Sequence, residues 1–224
     1  MIDSHCHILP GMDDGSKSVE QSVAMLRMEL ENGIERVVLT PHFYAHQNSP
    51  QRFLKRRQEA WKRLQAALPD GMPQMVMGAE VQYFEGICGV EDLHDLCIQG
   101  TDLLLLEMPQ QKWTNRMIRD VVELQDREDM TIMFAHIERF LDCTDDKTWD
   151  YLRRCGVLMQ TNASFLTGFW TKHKAKKMLR QGKIQFLGSD AHNLTDRRPN
   201  LVPTLAEGRV LEGEYLLEQA FDRL

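Results

Sequence analysis

Leu103-Leu104-Leu105-Leu106-Glu107 is four consecutive apolar residues closed by a carboxylate. A run so short and so uniformly apolar fits a strand buried on both faces, which is how strands read in a parallel sheet covered by helices. Working outward, the same unit recurs. Short aliphatic or β-branched runs stand at residues 1–5, 36–40, 74–81, 102–106, 131–135, 157–161 and 185–189, each followed by polar or Gly/Pro punctuation. The stretches between them carry helical spacing. Ser18 can cap a helix whose stripe is Val19, Val23, Leu26 and Leu30, with Gly33 to stop it. Ser49-Pro50 opens a second, with Phe53, Leu54, Trp61, Leu64 and Leu68 as its buried face. Thr114 caps a third through Met117, Val121 and Leu124, and Trp149/Leu152/Cys155, Lys172–Arg180 and residues 214–224 give three more. No internal repeat or linker divides the chain, so one domain of α/β class is expected, as a doubly wound sheet or a (β/α) barrel.

With 224 residues, 42% of them hydrophobic, the chain can bury a full core; disorder, a coiled coil and a disulfide-held mini-protein are excluded. Its 27 Lys+Arg against 33 Asp+Glu give a net charge of −6, which excludes a surface that grips nucleic acid or an anionic membrane as a whole. No apolar run is long enough to span a bilayer. Five cysteines are an odd number, and neither a basic segment nor an apolar one follows Met1, so a reduced, cytoplasmic setting is expected.

In a parallel barrel the C-terminal strand ends converge on one mouth. The residues found there are ligand types. The first strand delivers His5 and His7, with Asp14 in the loop beyond; the second His42, the third Glu80, the fourth Glu107, the fifth His136, the seventh Asp190 and His192. On extended chain, alternate side chains share a face, so His5-x-His7 and Asp190-x-His192 each aim two ligands the same way. Taken singly, a His-x-His pair or His42 is more often a surface or satisfied core histidine. Glu80 and Glu107 resist that reading, because each ends an apolar run where a bare carboxylate would be desolvated at a cost of several kcal/mol. Four carboxylates and five imidazoles suit Mn, Fe or Zn in a hydrolytic site, and nine ligands imply two or three ions.

At these residues the sequence resembles the polymerase-and-histidinol-phosphatase superfamily, and within it the manganese-dependent bacterial protein-tyrosine phosphatases of capsular and exopolysaccharide clusters. Five blocks carry the likeness: residues 1–15, Thr40-Pro41-His42, Gly78-Ala79-Glu80-Val81, Ala135-His136-Ile137-Glu138-Arg139-Phe140 and Gly188-Ser189-Asp190-Ala191-His192-Asn193. The resemblance implies a distorted seven-stranded (β/α) TIM-like barrel with up to three Mn2+ ions. It assigns His5, His7, Glu80 and Asp190 to one ion. Glu80 would bridge to a second completed by Glu107 and His136, and Asp14, His42 and His192 would hold the third. Arg139 and Arg197 would contact the substrate phosphate, although Arg197-Arg198-Pro199 leaves open which arginine faces the mouth. His46 is a further candidate substrate contact. The implied partner is a phosphotyrosyl protein, the tyrosine-rich tail of a bacterial tyrosine kinase governing polysaccharide export.

The expected chemistry is in-line attack on phosphorus by a metal-bound hydroxide, with Arg139 and Arg197 countering phosphoryl charge and Asp14 a candidate general acid. A thiolate mechanism is excluded, because no arginine stands six residues after any cysteine; the five cysteines read as small core residues. A histidinol-phosphate phosphatase would share nearly all the ligands. A TatD-like nuclease also begins with His-x-His, but does not explain Asp14, His42 and His192. Arg52, Lys55, Arg56, Arg57, Lys62 and Arg63, and Lys172, Lys174, Lys176, Lys177 and Arg180, could attract an acidic tail; the favoured reading is solvated helix faces.

Overall fold

The structure is a computed structural model that describes residues 1–207 and 211–222. Its strands are β1 (Ile2–Cys6), β2 (Arg36–Leu39), β3 (His42–Phe43), β4 (Gln74–Met77), β5 (Glu80–Gln82), β6 (Leu103–Glu107), β7 (Thr131–Phe134), β8 (Leu158–Asn162) and β9 (Phe186–Gly188). All pairings between them are parallel. They form a three-stranded sheet in the order β1-β2-β4 and a six-stranded half-barrel sheet in the order β3-β5-β6-β7-β8-β9.

The expected strand 74–81 is cut in two, and the expected strand 36–40 is followed by a further short strand beyond its end. Residues 36–43 break between β2 and β3 at Thr40-Pro41, where proline brings no N–H to the ladder. Residues 74–82 break between β4 and β5 at Gly78-Ala79, and β3, only two residues long, has no periodicity to betray it. The pieces keep register across the breaks, with Leu39 opposite Met77 and His42 opposite Glu80. On the far side β9 lies along β1. Asp190 N–H donates to the His5 carbonyl and His7 N–H to that of Ala191, both at 2.8 Å, and Ser4 Oγ donates to the Leu187 carbonyl.

Alternate residues of β6 bury into different clusters, which accounts for its unbroken apolar run. Leu103 and Leu105 join Ile2, Val38, Val76 and Met133, whereas Leu104 and Leu106 pack outward with Ile132 and Phe134. The helices are α1 (Val19–Glu31), α2 (Pro50–Gln65), α3 (Asn115–Gln125), α4 (Asp146–Arg154), α5 (Ala163–Thr167), α6 (Lys172–Arg180) and α7 (Glu212–Phe221). Ser18, Ser49 and Thr114 cap as their positions in sequence predict, each side chain accepting from the N–H three residues on. The fifth helix, at five residues, is too short to leave a helical stripe and was not anticipated. The last helix was expected to reach residue 224, and residues 223–224 lie outside the described residues. Its Leu217, Ala220 and Phe221 join the Ile2/Val38/Leu103 cluster, filling the end of the fold opposite the ligand-bearing strand ends.

One arginine of α2, Arg57, departs from the reading of a solvated face, and two others, Arg56 and the exposed Arg63, reach backbone carbonyls. Arg57 is buried and donates to the Gly78 carbonyl at 2.7 Å, inside the break between β4 and β5. Arg56 donates to the Met12 carbonyl and Arg63 to that of Pro10, so α2 holds the loop that follows β1. The five cysteines are all unpaired, Cys6 and Cys97 in the core and the other three half-buried. Truncating Arg57 to alanine strands a buried carbonyl and empties a well-packed stem. Urea denaturation of Arg57→Ala is expected to show a loss of about 2–4 kcal/mol, with Arg57→Lys intermediate.

Candidate metal centre

The ligand-type residues are delivered by strand ends that the fold brings side by side. His5 stands one residue before the end of β1 and His7 one residue beyond it; both are fully buried, with their Nε2 atoms 3.1 Å apart. Glu80 opens β5 and has no exposed surface. Its Oε2 stands 3.2 Å from His5 Nε2, 3.2 Å from His7 Nε2 and 3.0 Å from His42 Nδ1. Its Oε1 stands 2.8 Å from His136 Nε2, which is 3.5 Å from Glu107 Oε1. Asp190 Oδ1 lies 3.5–3.7 Å from His7, His5 and His192. Asp14, at the rim, is 3.5 Å from His42 Nε2 and 3.4 Å from His192 Nε2.

All nine positions singled out in the sequence as ligands therefore converge. Three sets could each hold a metal ion: His5/His7/Asp190, His42/Glu80/Glu107, and His7/Asp14/His42/His192, the atoms of each set lying within 4.8 Å of one another. These sets differ in detail from those the resemblance implied. His42 replaces His136 beside Glu80 and Glu107, although His136 stays in contact with both carboxylates. The donor chemistry fits cations in a second way. Glu80 Oε2, His42 Nδ1 and His192 Nε2 are buried without a hydrogen-bond partner among the described residues, a costly state for polar atoms that a coordinated ion would relieve.

Backbone strain gathers at the same place. Of the three non-glycine residues with positive φ among those described, His136 and Asp190 are two, at 28° and 53°. Gly15 is required by close approach: a Cβ there would meet the His7 carbonyl oxygen at 2.2 Å. That turn returns Ser16 N–H to the His7 carbonyl and tucks Asp13 beneath the histidine. Gly188 plays the same part on β9, where a Cβ would fall 2.7 Å from that of His5.

Several supporting residues escaped the sequence reading. Asp13 receives His7 Nδ1 at 2.9 Å and the backbone N–H groups of Gly15 and His42, so it fixes which nitrogen His7 turns toward Glu80. Asp3 accepts from His5 N–H, Ser189 N–H and Ser189 Oγ, tying the two ligand-bearing strand ends together. Strand β8 offers no ligand but supplies Gln160, which accepts from His136 N–H, and Asn162, which donates to Asp190 Oδ2 at 3.0 Å. The only sequence signal for Asp13 is its adjacency to Asp14; for Gln160 and Asn162 it is their place at a sixth strand end.

Two arginines reach the centre. Arg139 pairs with Asp190 Oδ2, while Arg197 donates to Asp190 Oδ1 at 3.0 Å and stands 3.7 Å from Asp14. The turn from His192 to Arg197 is closed by Asn193 Oδ1 and by His192 N–H on the Arg197 carbonyl, which aims Arg197, rather than Arg198, inward. His46 lies exposed beside Tyr44, at a ring separation of 5.7 Å, outside the converging groups. Tyr44 itself stacks on His42 with ring centroids 5.0 Å apart.

The electrostatics follow from burial among opposite charges. Burial disfavours charge on His7, but Asp13 and Glu80 outweigh it and hold the imidazolium up to about 10. Burial raises Glu80, and His5 and His42 outweigh it, keeping that carboxylate well below its usual range. Glu107 goes the other way: burial, then the negative charge of Glu80, lift it to about 7. His192 falls to about 3 through burial and the neighbouring charge of His7.

A parallel α/β fold that gathers nine carboxylate and imidazole side chains at its strand ends, two arginines beside them, defines the class of a candidate polynuclear metal-binding hydrolase. The particular family is given by comparison with known proteins: residues 1–217 match the family described as Capsular polysaccharide synthesis, CpsB/CapC, and the chain belongs to it. It is 28% identical to the tyrosine-protein phosphatase YwqE of Bacillus subtilis strain 168, covering 99% of this chain and 85% of that protein. It is 27% identical to the putative tyrosine-protein phosphatase CapC of Staphylococcus aureus, over 96% of this chain and 86% of that one. Among solved structures, one described as belonging to the metal-dependent tyrosine phosphatases YwqE of Bacillus subtilis and CpsB of Streptococcus pneumoniae superposes with a TM-score of 0.74. It is 26% identical and covers 99% of this chain and 90% of that one. A putative histidinol phosphatase of Listeria monocytogenes, at 11% identity and a TM-score of 0.50, over 88% of this chain and 97% of that one, shares the fold.

Metal uptake must displace protons from groups that hold them in the ion-free chain. Glu107 at about 7 and His7 at about 10 are both largely protonated at pH 6, so binding of a divalent metal ion is expected to release protons and to tighten as pH rises toward 8. Titration calorimetry at pH 6, 7 and 8 is expected to show about a tenfold gain in affinity per pH unit from the His7 proton across the range, a further gain from Glu107 that levels off above pH 7, and heats that vary with the buffer's ionisation enthalpy.

Proposed function

We propose that the chain is a metal-dependent protein-tyrosine phosphatase, a single domain over residues 1–224 built as a distorted seven-stranded (β/α) barrel. In this reading β2 with β3, and β4 with β5, count as one barrel strand each, and the β1–β9 hydrogen bonds support closure. The observation that carries the function is the convergence of nine ligand-type side chains with Arg139 and Arg197, in a chain whose relatives at 27–28% identity are named tyrosine-protein phosphatases.

His5, His7, Asp14, His42, Glu80, Glu107, His136, Asp190 and His192 would hold two or three ions, Mn2+ first among the candidates, with Fe and Zn alternatives. Bound there, the ions supply Lewis-acid chemistry: they lower the pKa of water toward neutrality and polarise phosphoryl oxygens. The chain's own residues do the rest. Arg139 and Arg197 each present a planar fork of N–H donors to phosphoryl oxygens as charge grows on them. Asp13 would hold the His7 ring in orientation throughout, and Gln160 would hold the backbone that carries His136. A phenolate leaving group has an ordinary pKa near 10 and needs little help to depart. Asp14, exposed at the rim and 3.7 Å from Arg197, is placed to hold the proton it takes. A cavity of about 430 Å3 lined by Asp14, His42 and Tyr44 would accommodate the tyrosyl ring, and His46, whose ring lies 5.7 Å from that of Tyr44, would be a further substrate contact.

The substrate is then a phosphotyrosyl protein, with the tail of a bacterial tyrosine kinase of polysaccharide export as the partner, in the cytoplasm. No helix among the described residues is long and apolar enough to cross a membrane. The metal-loaded protein is expected to hydrolyse a phosphotyrosyl peptide and to leave histidinol phosphate and DNA untouched. Chelation abolishes turnover and Mn2+ restores it. His136→Ala and Arg139→Ala each lower kcat/KM by about 100-fold or more; wild-type turnover by either would sink the assignment, and preference for histidinol phosphate would transfer it to small phosphomonoesters.

A further inference from the structure

Between Asp150 and Asp190 the chain carries eight lysines and arginines and not one carboxylate, in a protein whose net charge is −6. The structure pairs three of these cations and gathers several of the others at one place. Lys176 and Arg180 are paired with Glu207, and Arg153 with Asp150. Lys172, Lys174, Lys177 and Lys183 have no acidic partner among the described residues. Lys174, Lys177 and Lys183, with the Asp150-paired Arg153, outnumber the single carboxylate, Asp146, around a cavity of about 240 Å3 between α4 and α6, with Trp149 and Met178 in its apolar wall.

Next to this basic face stand the two most exposed large apolar side chains of the described residues, Phe169 at 73% and Trp170 at 90%. They are not a loose end. Their rings meet edge to face at 4.8 Å, and Lys172 Nζ lies 5.7 Å from the Phe169 ring. The turn that carries them is closed by Lys172 N–H on the Gly168 carbonyl and by Thr171 Oγ1 on that of Phe165. It also lies on the side of the metal centre, since α5 starts directly after Asn162, the donor to Asp190. Trp170 is eight residues beyond Asn162, five of them helical, hence within about 20 Å of it, a span that about six residues of extended peptide cover.

An ordered aromatic pair left bare beside unpaired lysines is a surface built to be covered by something anionic with apolar side chains. We infer that Phe169, Trp170 and the lysine face of α6 dock the acidic segment flanking the phosphotyrosine of a protein substrate, leaving the cavity between α4 and α6 to take one of its side chains. Placement near the strand ends favours a peptide over a lipid surface, because a chain threaded into the centre must pass within reach. The inference rests on the phosphatase reading above and adds that selection among phosphotyrosyl substrates occurs here, away from the reacting atoms.

The test uses the Mn2+-loaded protein with a phosphotyrosyl peptide flanked by Asp and Glu, the same peptide flanked by Ser, and free phosphotyrosine. Two variants are compared with wild type: Phe169→Ser with Trp170→Ser, and Lys172→Glu with Lys174→Glu and Lys177→Glu. Each is expected to raise KM for the acidic peptide about tenfold with kcat unchanged, and to leave kcat/KM for free phosphotyrosine within about twofold. In about 0.5 M salt the advantage of the acidic over the Ser-flanked peptide should vanish. Equal effects on all three substrates, or an unaltered KM for the acidic peptide, overturn the docking surface. Loss of co-sedimentation with phosphatidylglycerol vesicles at unaltered peptide KM overturns it in favour of a membrane. Fluorescence anisotropy of the labelled acidic peptide separates the two readings: patch-dependent binding without hydrolysis of any substrate removes the phosphatase and keeps the docking site.

Discussion

A carboxylate with no exposed surface sits among four imidazoles. Glu80 is the hub of this protein: His5, His7, His42 and His136 each come within about 3 Å of one of its two oxygens. A buried carboxylate is tolerable only where positive charge or strong donors compensate its lost hydration. That requirement fixes where β1, β3, β5 and β7 must end relative to one another. Shifting any strand by one residue would turn its ligand to the other face of the sheet and leave Glu80 uncompensated.

Much of the irregularity in the fold follows from this demand. The breaks at Thr40-Pro41 and Gly78-Ala79 let two strands restart so that His42 and Glu80 stand opposite each other, and Arg57 is buried to hold the carbonyl that the second break leaves bare. Left-handed backbone at His136 and Asp190, and the contact distances at Gly15 and Gly188, are the local strain of packing so many polar groups into one volume. Stability for this comes from the opposite end, where Leu103 and Leu105 of β6 and the apolar face of α7 share one buried cluster.

The charge of the molecule is divided in the same manner. Acidic residues that matter are drawn inward against imidazoles, while the segment between Asp150 and Asp190 leaves Lys172, Lys174 and Lys177 of α6 without acidic partners among the described residues. A net charge of −6 therefore describes neither the centre nor its surroundings. An anionic substrate meets a locally cationic surface on an acidic protein, which favours approach from one side.

Seven strand runs, three helix caps and all nine ligand-type positions were legible in the chain, because each rests on short-range rules. Burial on both faces gives an unbroken apolar run, capping needs a side chain three residues from its target, and strand ends deliver alternate residues to one face. Asp13, Asp3, Gln160 and Asn162 were not legible, since their roles depend on partners such as His7, Ser189, His136 and Asp190, most of them far away in sequence. Nor could the chain distinguish Arg57 from its neighbours on α2, or Arg197 from Arg198; a guanidinium acquires its meaning from the carbonyl or carboxylate that meets it. The sequence by itself determined which chemistry this protein carries, because ligand types and strand periods are local. Only the tertiary structure decided which groups share a cation, which orient them and which arginines face inward, because those are matters of distances between residues that the chain brings together only on folding.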